Sequence, residues 1–329
     1  MTDSVLKVKD LAVGFRLDGR THDAVRGIDF EIPKGKTIGL VGESGSGKSV
    51  TAFSILKLID PPGEIHSGKV LFQGQDLLEL SEEEIRRYRG NAISMIFQEP
   101  MTSLNPVYTI GQQISEIFTL HQSMSQPEAK EASIEMLRKV KIPDAARRYD
   151  DYPHQLSGGM RQRVMIAMAL ACDPELLIAD EPTTALDVTI QAQILELIAQ
   201  IQEHHEMSML LITHDLGVVS EVCDEVLVMY AGAIVEHAKV EDFFANPQHP
   251  YSLGLLRSIP SLQSEGAELP TIPGTTPGLV NQRRVGCAFY DRCSQRESRC
   301  SVEEPKLKSI VSGHQVACWQ VESRQESGQ

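Results

Sequence analysis

The feature that most constrains the fold is a glycine-rich stretch between an apolar run and a helix-like run, in KTIGLVGESGSGKSVTAFSILKLI. Residues 42–49 read GESGSGKS and match the pattern G-x-x-x-x-G-K-[ST], after a strand and at the opening of a helix. Glycines let backbone N–H groups converge on phosphate oxygens, and the helix start adds a favourable partial charge. The sequence therefore predicts a phosphate-binding loop in an α/β fold.

The side chains of this loop have distinct predicted roles. Lys48 is expected to reach the β- and γ-phosphates of a nucleotide, and Ser49 to ligate Mg²⁺. The residues expected to surround the phosphates are Gly42, Ser44, Gly45, Gly47, Lys48 and Ser49. A glycine-rich turn without a ligand is the alternative, and the strand and helix on either side argue against it.

A pair of acids ends another apolar run, in ELLIADE. Four apolar residues place Asp180 at the end of a strand, where its carboxylate can hold the magnesium shell. Glu181, one residue on, can polarise the attacking water as a general base. Two adjacent acids could also be a solvated turn, but their occurrence beside a phosphate loop favours catalysis.

The remaining pattern predicts a mostly parallel sheet with crossover helices. The strand-like runs VLKVKDLAVGF and GIDFEIP come first, separated by the polar turn LDGRTHD. From about Ser81 to Ala146 the pattern is mostly helical, which indicates an inserted helical region. Beyond it, VMIAMALAC, ELLIAD, SMLLITHD and EVLVMYAG alternate between helix and buried strand. Beyond Pro250 the composition changes to loop-rich structure.

Composition narrows the class of protein. The chain has 329 residues, is 41% apolar and carries a formal charge of -14, which argues against a nucleic-acid partner. The first residues lack the layout of a signal peptide, and the longest apolar run is too short to cross a bilayer. We therefore expect a soluble, cytosolic protein.

Residues 156–160, LSGGM, followed by RQRVMIAMAL, resemble the LSGGQ signature of ABC-type ATPases. Other family elements occur in the family's order along the chain. They are Phe15 at the adenine-stacking position, Gln98 of the Q-loop in IFQEP, the D-loop 185–187 (ALD), and the switch histidine His214 in LITHD. Met160 departs from the family's Gln and lacks the hydrogen bonds that Gln can donate. Either the Ser and Gly residues alone make the nucleotide contact there, or Met160 only packs.

This resemblance implies an ABC-type ATPase with a mostly parallel core sheet, antiparallel N-terminal strands and an inserted helical subdomain at about 99–165. It implies that Glu181, His214 and Gln98 are catalytic and that Gln98 joins Ser49 and Asp180 at Mg²⁺. The further ATP contacts that it implies are Phe15, Ser157, Gly158, Gly159 and Asp187. Since 157–159 open an apolar helix, they form a second anion site, which in the family caps the ATP held by another subunit.

Three stretches resemble one subfamily, the ATP-binding subunits of dipeptide and oligopeptide importers. They are EPMTSLNP at 99–106, NPQHPY at 246–251 and the cysteine-bearing tail. The resemblance implies an ATPase domain at 1–250 and an extension at 251–329. It also implies the partners: a paralogous ATPase, two transmembrane permease subunits and an extracytoplasmic solute-binding protein, with the chain peripheral on the cytoplasmic face of the inner membrane. As a hypothesis, Gln98 senses the γ-phosphate, and the segment to Pro106 passes its movement to the permease.

Other functions carry different features. An importer of nickel or another non-peptide solute would share this pattern. ABC ATPases of DNA repair carry long coiled-coil or zinc-hook insertions, and those of translation carry two ATPase domains, whereas this chain has one phosphate loop and no sustained heptads. A regulatory module that holds ATP without turnover would not need Glu181 and His214.

Four cysteines, Cys287, Cys293, Cys300 and Cys318, are spaced C-x5-C-x6-C-x17-C. Zinc sites usually contain C-x2–4-C pairs, disulfides are unexpected in the cytosol, and four thiolates can hold a [4Fe–4S] cluster. Zinc and unmetallated thiols stay open, and the subfamily resemblance favours the cluster. His314 is a candidate substitute ligand that we expect at the surface. Cys172 and Cys223 are expected to be inert packing residues.

Overall fold

The computed structural model describes residues 4–98, 103–183, 187–259, 271–283, 285–311 and 313–321. The strands of this part are β1 Ser4–Leu17, β2 Arg20–Pro33, β3 Thr37–Val41, β4 Gly63–Phe72, β5 Gln75–Asp76, β6 Ile93–Ile96, β7 Leu176–Asp180, β8 Ser208–Thr213, β9 Glu225–Tyr230, β10 Ala233–Lys239, β11 Lys308–Val311 and β12 His314–Val316. Its α-helices are α1 Lys48–Ile55, α2 Glu82–Ile85, α3 Ile110–Gln122, α4 Gln126–Lys139, α5 Ala145–Arg148, α6 Gly158–Leu170, α7 Val188–His205, α8 Leu216–Val222, α9 Val240–Ala245 and α10 Pro250–Arg257.

The chain divides into two compact units. One consists of Met1–Val5, Ile32–Lys36 and Glu79–Leu211, and the other of Leu6–Glu31, Thr37–Leu78 and Ile212–Gln329. The phosphate loop therefore belongs to the second unit, together with the cysteine-bearing extension. The first unit contains Gln98, the two acids at the end of β7 and the signature.

The second unit contains two sheets. In one, β1 lies between β2 and β4, β5 follows at the edge, and β1 and β4 pair antiparallel. In the other, β3 pairs in parallel with β9, β9 pairs antiparallel with β10, and β10 with β12. All five residues of β3 are buried, as expected of a strand that is covered on both faces.

In the first unit, β6 and β7 pair in parallel, and β8, which begins in this unit, is the other neighbour of β7. The inserted helices α3, α4 and α5 lie between β6 and β7 in the chain. They are joined by a buried polar group, in which the Ser115 hydroxyl lies 2.8 Å from that of Ser133 and 2.9 Å from that of Tyr149. Thr109 begins α3 as the N-cap, with Gln112 completing a capping box.

The fold confirms the expected α/β class, with parallel core pairs, antiparallel N-terminal strands and inserted helices. The sequence pattern did not identify β4, β5 or β10, and it also missed three short strands, which are β6 within the region read as helical and β11 and β12 within the tail. Each has only three or four residues, too few for a clear alternation. The turn LDGRTHD is also shorter than predicted, because β2 already begins at Arg20.

The extension has more of a hydrophobic core than its composition indicates. Phe289 is buried against Tyr230 and Tyr251, and Cys287 and Cys293 pack at the edge of the same cluster. Ring centroids of Phe289 lie 5.1 Å from Tyr230 and 5.4 Å from Tyr251. Over the described residues, the helices are all too short or too polar to cross a membrane.

Candidate functional site: a phosphate loop, an acidic strand end and an exposed signature

The phosphate loop joins the buried strand β3 to helix α1. Gly47 is the N-cap of α1 with φ +108°, a conformation that side chains rarely adopt. A Cβ at this position would lie 2.4 Å from the Ala24 carbonyl oxygen. Because a glycine N-cap has no side chain to bind the first N–H groups of α1, these groups can serve a phosphate.

Lys48 is already held inside the loop that it is expected to serve. Its ammonium group donates to the carbonyl oxygens of Gly42 at 2.7 Å and Glu43 at 3.0 Å, and the side chain is buried. Ser44 and Gly45 are exposed, and Ser49 is half-buried in the first turn of α1. The loop thus contains a buried ammonium group, two exposed residues and a hydroxyl in the first turn of α1.

Glu43, to which the sequence pattern assigns no role, takes part in three side-chain hydrogen bonds. Arg292 forms a two-point ion pair with it, Nη1 to Oε2 at 2.5 Å and Nη2 to Oε1 at 3.0 Å, and the Thr276 hydroxyl donates to Oε2. Burial alone would raise the pKa of Glu43, but these hydrogen bonds and the charges of Arg292 and Lys48 bring it below its ordinary value.

At the end of β7, the two predicted acids differ in environment. Asp180 is 2% exposed, whereas Glu181 is half-buried and has φ +46°. A left-handed conformation in a non-glycine residue costs about 1–3 kcal/mol and is typical of functional sites. The Gln98 side-chain amide donates to Glu181 Oε2 at 3.1 Å, so the structure brings together two of the three residues predicted to be catalytic.

The signature lies at the start of α6. Ser157 is the N-cap and accepts a hydrogen bond from the Met160 N–H at 3.3 Å. Ser157 and Gly158 are exposed, and Gly159 packs against Ile190 so closely that a Cβ would lie 3.1 Å from its Cγ2. Because Ser157 and Gly158 are exposed at the start of a helix, a second molecule can reach them.

The other predicted ATP contacts lie at the ends of elements. Asp187 is exposed and caps α7 by accepting from the Ile190 N–H at 3.0 Å. His214 is exposed directly after β8, and Phe15 is half-buried on β1, paired with Gly63. Residues 99–102 of EPMTSLNP and residues 185 and 186 of the D-loop lie outside the described residues.

The four cysteines of the extension belong to the second unit, and the Cys287 N–H donates to the Cys300 carbonyl oxygen at 2.8 Å. None of the six cysteines of the chain forms a disulfide. Burial raises the pKa of Cys287 to about 12, and the charges of Cys300, Cys318 and Cys293 raise it further, so all four lie within electrostatic range. Burial also raises the pKa of Cys318, to about 11. Among the described residues, however, no three His, Cys, Asp or Glu side chains form a group that could hold a metal ion.

The expectation that His314 lies at the surface was wrong. His314 is 4% exposed, and its Nε2 lies 2.7 Å from Oε1 of the fully buried Glu236. Glu236 also accepts from the backbone N–H groups of Gln248 at 2.7 Å and His249 at 2.9 Å. A buried carboxylate needs such partners, and His314 is one of them because β12 pairs with β10. By contrast, Cys223 fits its expected inert role, since burial raises its pKa to about 12.

Two family models match the chain. Residues 25–184 match the ABC transporter family, and residues 235–300 match the C-terminal region of oligopeptide and dipeptide transporters. The first match contains the phosphate loop, Gln98, the signature and the two acids at the end of β7. The second contains Glu236, Arg292 and three of the four clustered cysteines.

Similar proteins cover almost the whole chain. A probable peptide ABC transporter ATP-binding protein of Sinorhizobium fredii, y4tR, is 52% identical over 319 residues, which is 96% of this chain and 95% of that protein. The oligopeptide transport ATP-binding protein OppD of Bacillus subtilis is 52% identical over 96% of this chain and 88% of its own length. The cassette MJ0796, a dimer solved in a post-hydrolysis state with ADP and Pi, superposes with TM-score 0.65 at 26% identity, covering 71% of this chain and 98% of that one.

Proposed function

Because the chain belongs to the family of ATP-binding proteins of oligopeptide and dipeptide ABC transporters, we propose that it hydrolyses ATP to power import of peptides through a membrane transporter. The observation that carries the ATPase function is the Gln98 hydrogen bond to Glu181 at the end of β7. This hydrogen bond orients the Glu181 carboxylate, which is the proposed general base of ATP hydrolysis. The peptide substrate class is supported by the match of residues 235–300.

The residues of the phosphate loop and of the other motifs have separate roles in ATP hydrolysis. Lys48 exchanges its two carbonyl partners for the β- and γ-phosphates, and the N–H groups at the start of α1 bind the phosphate oxygens. Asp180 and Ser49 have oxygen donors of the type that Mg²⁺ prefers and would hold the ion when it binds with ATP. A bound Mg²⁺ would supply positive charge near the transferred phosphoryl group. Glu181 takes the proton of the attacking water, and Gln98 keeps the carboxylate turned toward that water. His214 supplies the remaining polar contact, to the γ-phosphate.

The exposed signature indicates that a second ATPase completes each site. Ser157 and Gly158 are exposed at a helix start, and the related cassette MJ0796 is a dimer. We infer that the partner is a paralogous subunit, that the pair docks on two permease subunits at the cytoplasmic face of the inner membrane, and that an extracytoplasmic binding protein delivers the peptide. Phe15 and Asp187 are the remaining expected ATP contacts.

For the clustered cysteines, a [4Fe–4S] cluster is the proposal and zinc the alternative. Four free thiols within electrostatic range of one another have the right donor chemistry. The raised pKa values of Cys287, Cys293 and Cys318 mean that a metal would displace protons from these thiols as it binds. Iron, acid-labile sulfide and zinc should be measured on anaerobically purified protein, with Cys300→Ser alongside. Iron with sulfide, lost in the variant, supports the cluster, and zinc without sulfide or the absence of metal overturns it.

The transport function is tested with the chain reconstituted with its permease subunits and binding protein in vesicles. Peptide should stimulate ATP hydrolysis and accumulate inside, and Glu181→Gln should abolish both while ATP still binds. Nickel uptake without peptide uptake would contradict the substrate class. ATPase activity that no permease or solute alters would contradict the transport role altogether.

A further inference from the structure

Every polar group of Glu43, the second residue of the phosphate loop, has a partner in the second unit. Its carboxylate is bound by Arg292 and Thr276, and its backbone N–H donates to the Tyr251 hydroxyl at 2.8 Å. Its carbonyl oxygen accepts from Lys48 at 3.0 Å. We call the three partners beyond β10, namely Tyr251, Thr276 and Arg292, the Glu43 clamp. The clamp links the loop to a segment more than 200 residues later in the chain.

Arg292 is also held in place by contacts other than those with Glu43. Its side chain is 7% exposed, its Nε donates to the Pro273 carbonyl at 2.8 Å, and its guanidinium lies over the rings of Tyr230 and Phe289 at 5.7 and 5.9 Å. A guanidinium held in this way loses little conformational entropy when it pairs with a carboxylate. A pair with two hydrogen bonds also fixes the orientation of the carboxylate. The clamp is therefore preorganised by the extension.

The charge of Glu43 explains why a phosphate loop needs this clamp. A carboxylate next to bound triphosphate repels it, and the repulsion grows as water is excluded. The guanidinium of Arg292 neutralises that charge and holds both carboxylate oxygens by hydrogen bonds. Without Arg292, Glu43 would be free to compete with the nucleotide for Lys48.

We propose that Arg292 is a positioning residue for ATP, which sets nucleotide affinity by neutralising and orienting Glu43. The proposal rests on the proposed ATPase function, and it gives the C-terminal extension a part in the nucleotide site. Arg292 is directly followed by Cys293, so the clamp and the cysteine segment are continuous.

The test is calorimetric titration of the full-length chain with ATP and Mg²⁺. Arg292→Gln should weaken ATP binding about tenfold, because the carboxylate then acts unneutralised near the phosphates. The double variant Arg292→Gln with Glu43→Gln should recover most of the affinity, since neither charge remains. Arg296→Gln makes the same charge change on an exposed arginine that donates to the Tyr290 and Asp291 carbonyls, and it should leave the affinity unchanged.

Steady-state kinetics in the assembled transporter separate this role from a purely structural one. Loss of positioning raises KM for ATP with kcat at saturation nearly unchanged, whereas partial unfolding lowers kcat at constant KM. Wild-type affinity in Arg292→Gln, or a double variant no better than the single one, overturns the proposal. If Arg292→Gln does not fold, Thr276→Val removes one donor and should weaken binding about threefold; an unchanged affinity is then the overturning result. A wild-type chain that binds no ATP would instead refute the proposed function.

Discussion

The Gln98 amide donates to Oε2 of Glu181 at 3.1 Å, across 83 residues of sequence. Replacing Gln98 by Ala removes this donor from the half-buried carboxylate, which is then less firmly oriented. Hydrolysis should fall by about 10²-fold or less, which is a smaller loss than that expected for Glu181→Gln. Transport should fall further than hydrolysis if Gln98 also senses the γ-phosphate. Both rates should be measured in the same vesicles. If the ratio of transport to hydrolysis in Gln98→Ala equals the ratio in the wild type, the sensing role is contradicted.

Gly47→Ala should destroy nucleotide binding. The new Cβ would overlap the Ala24 carbonyl oxygen at 2.4 Å in a backbone conformation that alanine rarely adopts. Gly45→Ala is the matched comparison, because its φ is +79° but nothing lies within 4 Å of a Cβ there. It should cost only the conformational strain, about 1–2 kcal/mol. Calorimetric ATP titration and thermal unfolding of both variants test this, and equal effects would argue against the overlap as the cause.

Ser157→Ala should affect both stability and association. The loss of an N-cap costs about 1 kcal/mol, and the loss of the exposed hydroxyl should weaken ATP-dependent pairing with the partner subunit. Thr109→Ala removes the N-cap of α3 and should show the stability cost alone. Unfolding curves and light scattering with ATP distinguish the two effects. If both variants pair normally, Ser157 acts only as a cap.

His249 predicts a pH-dependent stability. It is 2% exposed, its Nδ1 accepts from the Tyr251 N–H at 3.1 Å, and burial lowers its pKa to about 4, against the opposing charge of Glu236. In the unfolded chain this histidine takes up a proton below about pH 6.5, and in the folded chain only near pH 4. The contribution of neutral His249 to the free energy of unfolding is therefore complete above pH 6.5. It is lost as pH falls toward 4, and the loss is on the order of 3 kcal/mol.

His249→Asn provides the control for that pH dependence, because its side-chain oxygen can accept the same N–H but does not titrate. The difference in unfolding free energy between wild type and variant should shift in favour of the variant as pH falls from 6.5 to 4. Parallel curves in urea titrations would show that His249 does not carry the effect.

The chemistry that depends on neighbouring residues was predictable from the sequence. Strand, glycines and helix together identified Lys48 and its loop, and an apolar run located Asp180 and Glu181 at a strand end. In each case the residues are close in sequence, so their spacing along the chain determines their arrangement in space. The local sequence pattern is therefore sufficient to predict the site.

Contacts between distant segments were not predictable in this way. Glu43 and Arg292 are 249 residues apart, and each alone resembles an ordinary surface charge. His314 likewise gives no sequence signal of the buried Glu236 that it pairs with, because β12 is only three residues long. Such pairs depend on sheet register and packing, which a single sequence does not specify.

The position of β12 affects how the protein matures during synthesis. Glu236 leaves the ribosome well before His314, so until β12 pairs with β10 a carboxylate destined for the interior lacks one of its hydrogen-bond partners. We expect nascent chains that stop short of His314 to stay partly open at this edge and to be removed by proteases. Pairing of β12 with β10 would then distinguish completely folded ATPase chains from incomplete ones.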